Sequence, residues 1–516
     1  MNEVKKGITT VNTMTRCQFI KGAFAAAGGL ACPGWLATAA TQFAQGECRL
    51  RFGVLSDVHI RSSSDITYFK RALEYFRENA VDAVMICGDI ADTGRVDELQ
   101  MAANAWFEIF PENKLPNGAT VEKLFVSGNH DWDRGTYTFT KNDPTLLRYD
   151  FRNNWKTIWK EDSYSKIWQK TVKGYVFIGN HWDCTDLASE VTDCWHNVAA
   201  FDDLPAYLSA HQTELSGAKP FFYLQHSQQK NTCFGGRAWG EDTGVTTTAL
   251  LNFPNAVTFS GHSHYSLTDD RSIWQGGFTA VNAGSLSYTG LDDTDPPSGD
   301  IVYENGYTGN AKTMPRYAQQ KSGKQGMLVS VYDDAIVYHR CDFYGTVSRT
   351  LGEDWVQPLP AADHPTAFSP ATRAVALAAP QFPSGARLTA TGGSAKTRGN
   401  VSVPATTFTF PAANAGGGFR PYYYEVKFIG SDTANPVMRY VLAQGFNAPL
   451  SDASAVGNSM ATLAASIVPA GKVVRVVVTP LSAFGTRGAS ISALADGDAL
   501  RAGAAVFKEG LSVIGF

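Results

Sequence analysis

Five short apolar runs along the first two thirds of the chain each stop at a small cluster of Asp, Asn, His and Gly. Arg51 to Leu55 leads into Asp57-x-His59, and Ala83 to Cys87 leads into Gly88-Asp89-x-x-Asp92. Leu124 to Val126 leads into Gly128-Asn129-His130-Asp131, Phe221 to Leu224 into His226, and Val257 to Phe259 into Gly261-His262-x-His264. Runs of this kind are strand signals, and open α/β sheets place ligands at the carboxyl ends of strands. Between the first three runs, Thr67 to Ala80 and Val96 to Phe110 carry apolar residues at helical spacing, the second stopped by Pro111. This alternation argues for a layered α/β domain with a partly parallel sheet.

The side chains in the clusters set the chemistry. Asp, Asn and His together, without Cys, suit borderline to hard divalent ions such as Mn, Fe or Zn. Five of the ten histidines fall in these clusters. On an extended segment Asp57 and His59 share one face, because the period there is two. Gly88, Gly128 and Gly261 precede Asp89, Asn129 and His262, where a glycine lets the backbone turn sharply and lets a metal or phosphate approach. A carboxylate bridging two cations holds them about 3.5–4 Å apart, the geometry for in-line displacement at phosphorus.

Taken in order, the five clusters resemble the signature of the calcineurin-like metallophosphoesterases, over roughly Leu50 to Cys341. The resemblance implies a layered β-sandwich flanked by helices and a metal-dependent phosphoesterase activity. It implies that Asp57, His59, Asp89 and His264 hold one divalent metal, and that Asp89, Asn129, His226 and His262 hold a second. Asp89 would bridge the two, together with a hydroxide that attacks phosphorus. His130 would protonate the leaving oxygen, and Asp92 would orient His130. Position 92 is Asp where the purple acid phosphatases of the same superfamily carry a tyrosine ligand, so an iron-tyrosinate centre is not expected.

The rest of the chain divides by composition. Residues 376–516 carry a charge balance of +5 and residues 1–375 one of −9, and every His, Cys and Trp precedes Ala376. The long strand signals Tyr422 to Lys427 and Val473 to Thr479 make the carboxyl-terminal segment resemble a fibronectin type III-like sandwich. The expected division is an export leader at 1–46, the metallophosphoesterase domain at 47–345, a linker at 346–375 and the sandwich at 376–516. Pro- and Ala-rich sequence from Gln357 to Pro383 motivates the linker. With 44 Lys+Arg against 48 Asp+Glu and no basic run, no nucleic-acid surface is expected. No apolar run is long enough to span a membrane.

Arg16, Lys21, the Ala/Gly-rich stretch Gly22 to Leu36 and the small residues Ala37-Thr38-Ala39 read as an export signal. Thr15 to Lys21 resembles a twin-arginine signal with Cys17 in the place of the second arginine. An exported chain permits disulfides, and Cys184 with Cys194 is the expected pair, while Cys87 is expected to be a small buried residue. The segment Arg134 to Ser165, rich in aromatic and polar residues, reads as an insertion or lid near the site. Ser163-x-x-Lys166 lacks partner motifs, His181, His196 and His211 read as surface or packing residues, and Asn282 to Ser285 is either a turn or a phosphate contact. The expected function is an exported dinuclear-metal hydrolase of phosphoric esters, a phosphatase or phosphodiesterase. The alternatives are a strict phosphodiesterase for cyclic nucleotides or phospholipid head groups, or a non-catalytic binding protein on the same fold.

Overall fold

The protein is described by a computed structural model over residues 43–44, 46–132, 143–184, 194, 197, 199–235, 238–290, 300–302, 308–310, 323–376, 378–396, 401–413, 421–443, 457–504 and 507. Nearly all of the export signal read at the amino terminus, and His196, lie outside the described residues.

β1 (Leu50–Leu55), α1 (Ile66–Glu78), β2 (Ala83–Cys87), α2 (Val96–Ile109) and β3 (Glu122–Val126) form two successive β-α-β units with parallel strands. Successive side chains of a strand point to opposite faces. Val84, Ile86 and Phe125 accordingly pack with Phe69, Phe76, Leu99 and Trp106 of the helices. Ala83, Met85, Cys87 and Leu124 turn the other way, into a core between two sheets. Burial on both faces explains why these runs are continuously apolar instead of alternating. α3 (Phe151–Trp159) adds Trp155 and Trp159 to the helical layer. The described part of the segment expected as a lid is thus a helix packed on the core: its aromatic residues fill that layer.

The second sheet is built from β4 (Ile167–Val172), β5 (Tyr175–Asn180), β6 (Phe221–Leu224), β7 (Ala256–Ser260), β8 (Ile273–Gln275) and β9 (Thr279–Asn282), in the order β4-β5-β6-β7-β9-β8. The β5, β6, β7 and β9 strands are parallel. α4 (Leu204–Ala210) and α5 (Val245–Leu250) cover its outer face through Leu204, Leu208 and Leu250. The two sheets meet face to face around Phe52, whose ring lies edge-on to Phe177, Phe222 and Phe259 at centroid distances of 5.4, 5.1 and 5.8 Å. The layered sandwich flanked by helices is the architecture the sequence implied.

β10 (Asp300–Val302) and β11 (Thr308–Asn310) form a hairpin. β12 (Gln325–Val331) and β13 (Ala335–Asp342) form another, and β12 pairs antiparallel with β1. β14 (Arg349–Thr350) and β15 (Trp355–Pro358) extend the same sheet beside β13. The stretch 346–375, read above as a linker, therefore lies against the first domain. Phe368 reaches the core between the sheets, and the buried Arg373 donates to Asp270 Oδ1 at 2.6 Å.

The carboxyl-terminal segment is all β. β16 (Thr389–Lys396), β17 (Ser402–Phe410) and β20 (Ser459–Ala464) form one sheet. β18 (Tyr423–Ile429), β19 (Val437–Leu442), β21 (Val473–Leu481) and β22 (Ile491–Asp496) form most of the other. Phe408, Phe410, Tyr424, Val426, Leu463 and Val476 fill the core between them. The free edge of β19 is taken by β10 in parallel register, with Asp300 opposite Arg439 and Ile301 opposite Tyr440. Side-chain contacts also join the segments, among them the Arg271 guanidinium 4.5 Å from the Tyr422 ring centroid and Thr486 Oγ1 donating to the Ala374 carbonyl at 3.0 Å. Among the described residues, no helix is long and apolar enough to cross a membrane.

Candidate metal centre

The strand ends converge. Asp57 and His59 follow β1, Asp89 and Asp92 follow β2, Asn129 and His130 follow β3, His226 follows β6, and His262 and His264 follow β7. Asp57, His59, Asp89 and His264 place one ligand atom each within 4.8 Å of one another, and so do Asp89, His226 and His262. Asp89 belongs to both groups. In the first group His264 Nε2 lies 3.1 Å from Asp57 Oδ1 and 3.1 Å from His59 Nε2, which is 3.7 Å from Asp89 Oδ2. In the second, His226 Nε2 lies 3.1 Å from Asp89 Oδ2, 3.2 Å from His262 Nδ1 and 3.0 Å from Asn129 Oδ1. The residues thus fit two cations. Two knots of buried oxygen and nitrogen lone pairs share one carboxylate.

The ring nitrogens that face away from the centre are held. His59 Nδ1 bonds Asp92 Oδ1 at 2.9 Å, His226 Nδ1 the Cys87 carbonyl at 2.6 Å, and His264 Nδ1 the Tyr288 carbonyl at 3.1 Å. In the neutral ring, donation from Nδ1 leaves Nε2 unprotonated and aimed at the centre, which is how outlying partners fix a ligating imidazole. His262 is turned the other way, Nδ1 inward, with the Trp239 ring stacked on it at 4.6 Å.

The backbone is shaped for this crowding. Asp57, His59, Asp89, His262 and His264 all adopt left-handed conformations, with φ of 50°, 49°, 54°, 68° and 56°. Asp and His enter this region more readily than most residues, and strained positions of this kind cost about 1–3 kcal/mol each. The sharp turn expected of glycine is found at Gly88, with φ of 89°. Gly128 and Gly261 are required for space instead. A Cβ at Gly128 would stand 2.2 Å from Asp89 Oδ1, and one at Gly261 would stand 1.8 Å from Ser56 Oγ and 2.5 Å from Asp57 Oδ2.

Burial and charge oppose one another here. Burial would raise the Asp89 carboxyl, but the imidazoles of His226 and His130 hold it well below the carboxylate range. Burial would lower His226, yet Asp89 raises it to about 9, while burial and the neighbouring His226 push His262 down to about 3. Without a cation, a proton on His226 balances Asp89, and a divalent ion entering the site has to displace it.

His130 stands at the rim. Its Nδ1 bonds the Asp92 carbonyl at 2.6 Å, and its Nε2 lies 4.0 Å from Asp89 Oδ2. Burial pushes it down to about 4, against the attraction of Asp89. The expected roles of Asp92 divide in two. Its main-chain carbonyl orients His130, whereas its carboxylate grips His59 and comes no nearer than 3.9 Å to His130 Nδ1. The sequence could not show this split, because a carbonyl leaves no mark in the residue code.

Residues beyond the expected set support the centre. Asp131, fully buried, accepts from the Ile90, Ala91 and Gly128 amides at 3.0, 2.8 and 2.8 Å and so ties the loop after β2 to the loop after β3. It sits in the Gly-Asn-His-Asp cluster, which was the available signal. Ser285 Oγ donates to the Asp57 carbonyl at 3.2 Å and Asn282 Nδ2 to Ser263 Oγ at 2.7 Å, so the Asn282–Ser285 turn braces ligand loops. His181 is buried and accepts from the Ser127 amide at 3.0 Å, a packing role. Lys166 of the Ser-x-x-Lys match pairs with Asp203 at 2.8 Å.

The family model of the calcineurin-like phosphoesterases matches residues 50–266. Solved structures similar to this chain include a dimetal phosphatase from Danio rerio, at 14% identity and a TM-score of 0.36, covering 60% of this chain and 99% of that one. Another is GAP50, the anchor in the inner membrane complex of Plasmodium, at 13% identity and a TM-score of 0.36, covering 62% and 95%. A predicted phosphoesterase from Streptococcus pneumoniae matches at 14% identity and a TM-score of 0.23, covering 60% and 97%. No curated protein sequence matches. With its strand-end ligands gathered into a dimetal-binding site, the first part of this chain is a calcineurin-like metallophosphoesterase domain.

Proposed function

We propose that the protein is an exported hydrolase of phosphoric esters, in which Asp57, His59, Asp89 and His264 hold one divalent metal and Asp89, Asn129, His226 and His262 a second. The observation that carries the reading is Asp89, one carboxylate common to both ligand groups. Mn, Fe or Zn suits the donor set, and such ions, when bound, polarise the ester and activate the attacking water. The chain's own residues supply the rest. Asp89 would be shared by the two ions, and the nitrogens held by Asp92, Cys87 and Tyr288 orient the imidazoles. His130 presents Nε2 at the rim, 4.0 Å from Asp89 Oδ2, where the ring, once protonated against the pull of burial, can pass that proton to the departing oxygen.

Export is supported by the amino-terminal sequence and by the Cys184–Cys194 disulfide, a bond typical of oxidising compartments. The two antiparallel layers around Phe408 and Tyr424 support the fibronectin type III-like reading of the carboxyl-terminal segment. The test is hydrolysis of p-nitrophenyl phosphate and bis-p-nitrophenyl phosphate by purified protein with added manganese, beside Asp89→Asn. Hydrolysis of either ester that disappears in the variant, together with both equivalents of metal, is expected. Turnover of the diester alone would narrow the activity to a strict phosphodiesterase. A protein that binds two metals and hydrolyses neither would leave a binding role.

A further inference from the structure

We infer that the Cys184–Cys194 disulfide supports the second metal site selectively, with Trp182 as the positioning residue between them. The inference rests on the two-metal reading above. After β5 the chain runs through His181, Trp182, Asp183 and Cys184 behind the centre. Trp182 is fully buried. Its ring stands edge-on to His226 at a centroid distance of 6.0 Å and tilted against His262 at 5.8 Å, so that it backs two imidazoles of the second group. Its amide donates to the Ser127 carbonyl at 3.1 Å and its carbonyl accepts from Ser127 Oγ at 2.8 Å, just ahead of Gly128 and Asn129.

The indole packs edge-on against Phe201 at 5.7 Å, and its Nε1–H donates to the Cys194 carbonyl at 2.9 Å. Cys194 is bonded through sulfur to Cys184, two residues after Trp182. Indole, backbone, disulfide and carbonyl close a ring of contacts that keeps the aromatic wall against His226 and His262. The first group is held by other means: the Asp92 carboxylate on His59 and the Tyr288 carbonyl on His264. Reduction by an external dithiol breaks the S–S bond, forms two protein thiols with the two hydrogens of the reagent, and leaves the reagent as its own disulfide. The Cys194 carbonyl is then no longer tethered to Cys184, and the support is lost on the second side alone.

The test is titration of the full, metal-free chain with manganese alone, read by calorimetry as two binding steps, with unfolding followed by circular dichroism. In the double variant Cys184→Ser/Cys194→Ser one of the two steps should lose about 10–100-fold in affinity, the usual worth of a partner behind a ligand. The other step should stay within about threefold. Trp182→Phe keeps a ring, loses the Nε1 donor and retains the disulfide. It should reproduce the selective loss in part, and it decides the matter if the double variant does not fold. Unchanged affinities in both variants, or equal weakening of the two steps, would overturn the inference. A wild-type chain showing a single step would instead overturn the two-metal reading on which it rests.

Discussion

Replacing Gly128 by alanine adds one methyl group at the most crowded point of the centre. Its φ lies outside the left-handed region, so the backbone itself tolerates alanine. The cost is one of space. The new Cβ would stand 2.2 Å from Asp89 Oδ1, 2.6 Å from the Asp89 amide nitrogen and 2.8 Å from His226 Cδ2. Ordinary contacts are about 3.5–4 Å, so the shared carboxylate must retreat by roughly 1 Å or more. Overpacking of this kind costs about 1–3 kcal/mol of stability. The functional penalty is larger, because a misplacement of about 1 Å at a reacting centre is worth on the order of 10²-fold in rate. Gly118 is the control: its φ is 85°, yet nothing lies within 4 Å of a Cβ there. Gly118→Ala should cost about 1–2 kcal/mol of stability and leave turnover untouched. Thermal unfolding, metal content by mass spectrometry and kcat on p-nitrophenyl phosphate separate the two cases. A Gly128→Ala protein with both metals and the wild-type kcat would refute the crowding argument.

Three further outcomes are expected. Asp92→Asn should weaken the first metal step, because its carboxylate holds His59, and should spare His130, which is held by the main chain; a loss of rate with both affinities intact would contradict this. His130→Gln should keep both metals and lose about 10²–10⁴-fold in rate, less for good leaving groups; equal losses for p-nitrophenyl and alkyl esters would exclude proton donation. Burial opposes the charge on His339, but the 2.6 Å bond to Asp354 outweighs it and raises the imidazole to about 10. The folded state then holds this proton more tightly than the unfolded chain, at about 6.5. The stabilisation is complete below about pH 6.5 and fades as pH rises towards 10. The gap in Tm between the wild type and His339→Gln should narrow from pH 6 to pH 9, and a constant gap would show that the charge is irrelevant.

The strands that carry ligands were readable because they are buried on both faces and end in glycine, aspartate or histidine. Others gave no such signal. β4 exposes part of nearly every residue, so Trp168, Gln169 and Lys170 hide its period. β9 buries Thr279 and Asn282 through hydrogen bonds, and β20 is built largely from small residues. Proline from Gln357 onward suggested a loose connection, whereas the chain before it completes a sheet edge and Arg373 is drawn in by the buried carboxylate of Asp270. At the site, ligand types and order could be read from spacing. The left-handed backbone of five ligands could not, nor could the carbonyls of Cys87 and Tyr288 that set imidazole tautomers, since both are properties of the main chain.

The parallel pairing of β10 with β19 changes what it means to divide this protein. A protease cut between α-helical residue 376 and the start of β16 at residue 389 would leave two pieces on a denaturing gel. In native buffer those pieces should still migrate as one particle, interlocked by a strand that the first fragment lends to the second. Ending the gene at residue 370 is a different operation. It strips β10 of its neighbour and bares the amides and carbonyls of residues 300–302 as an open edge. Such edges recruit one another. The shortened enzyme should therefore show its defect first as self-association at high concentration on a sizing column, while dilute samples still turn over substrate.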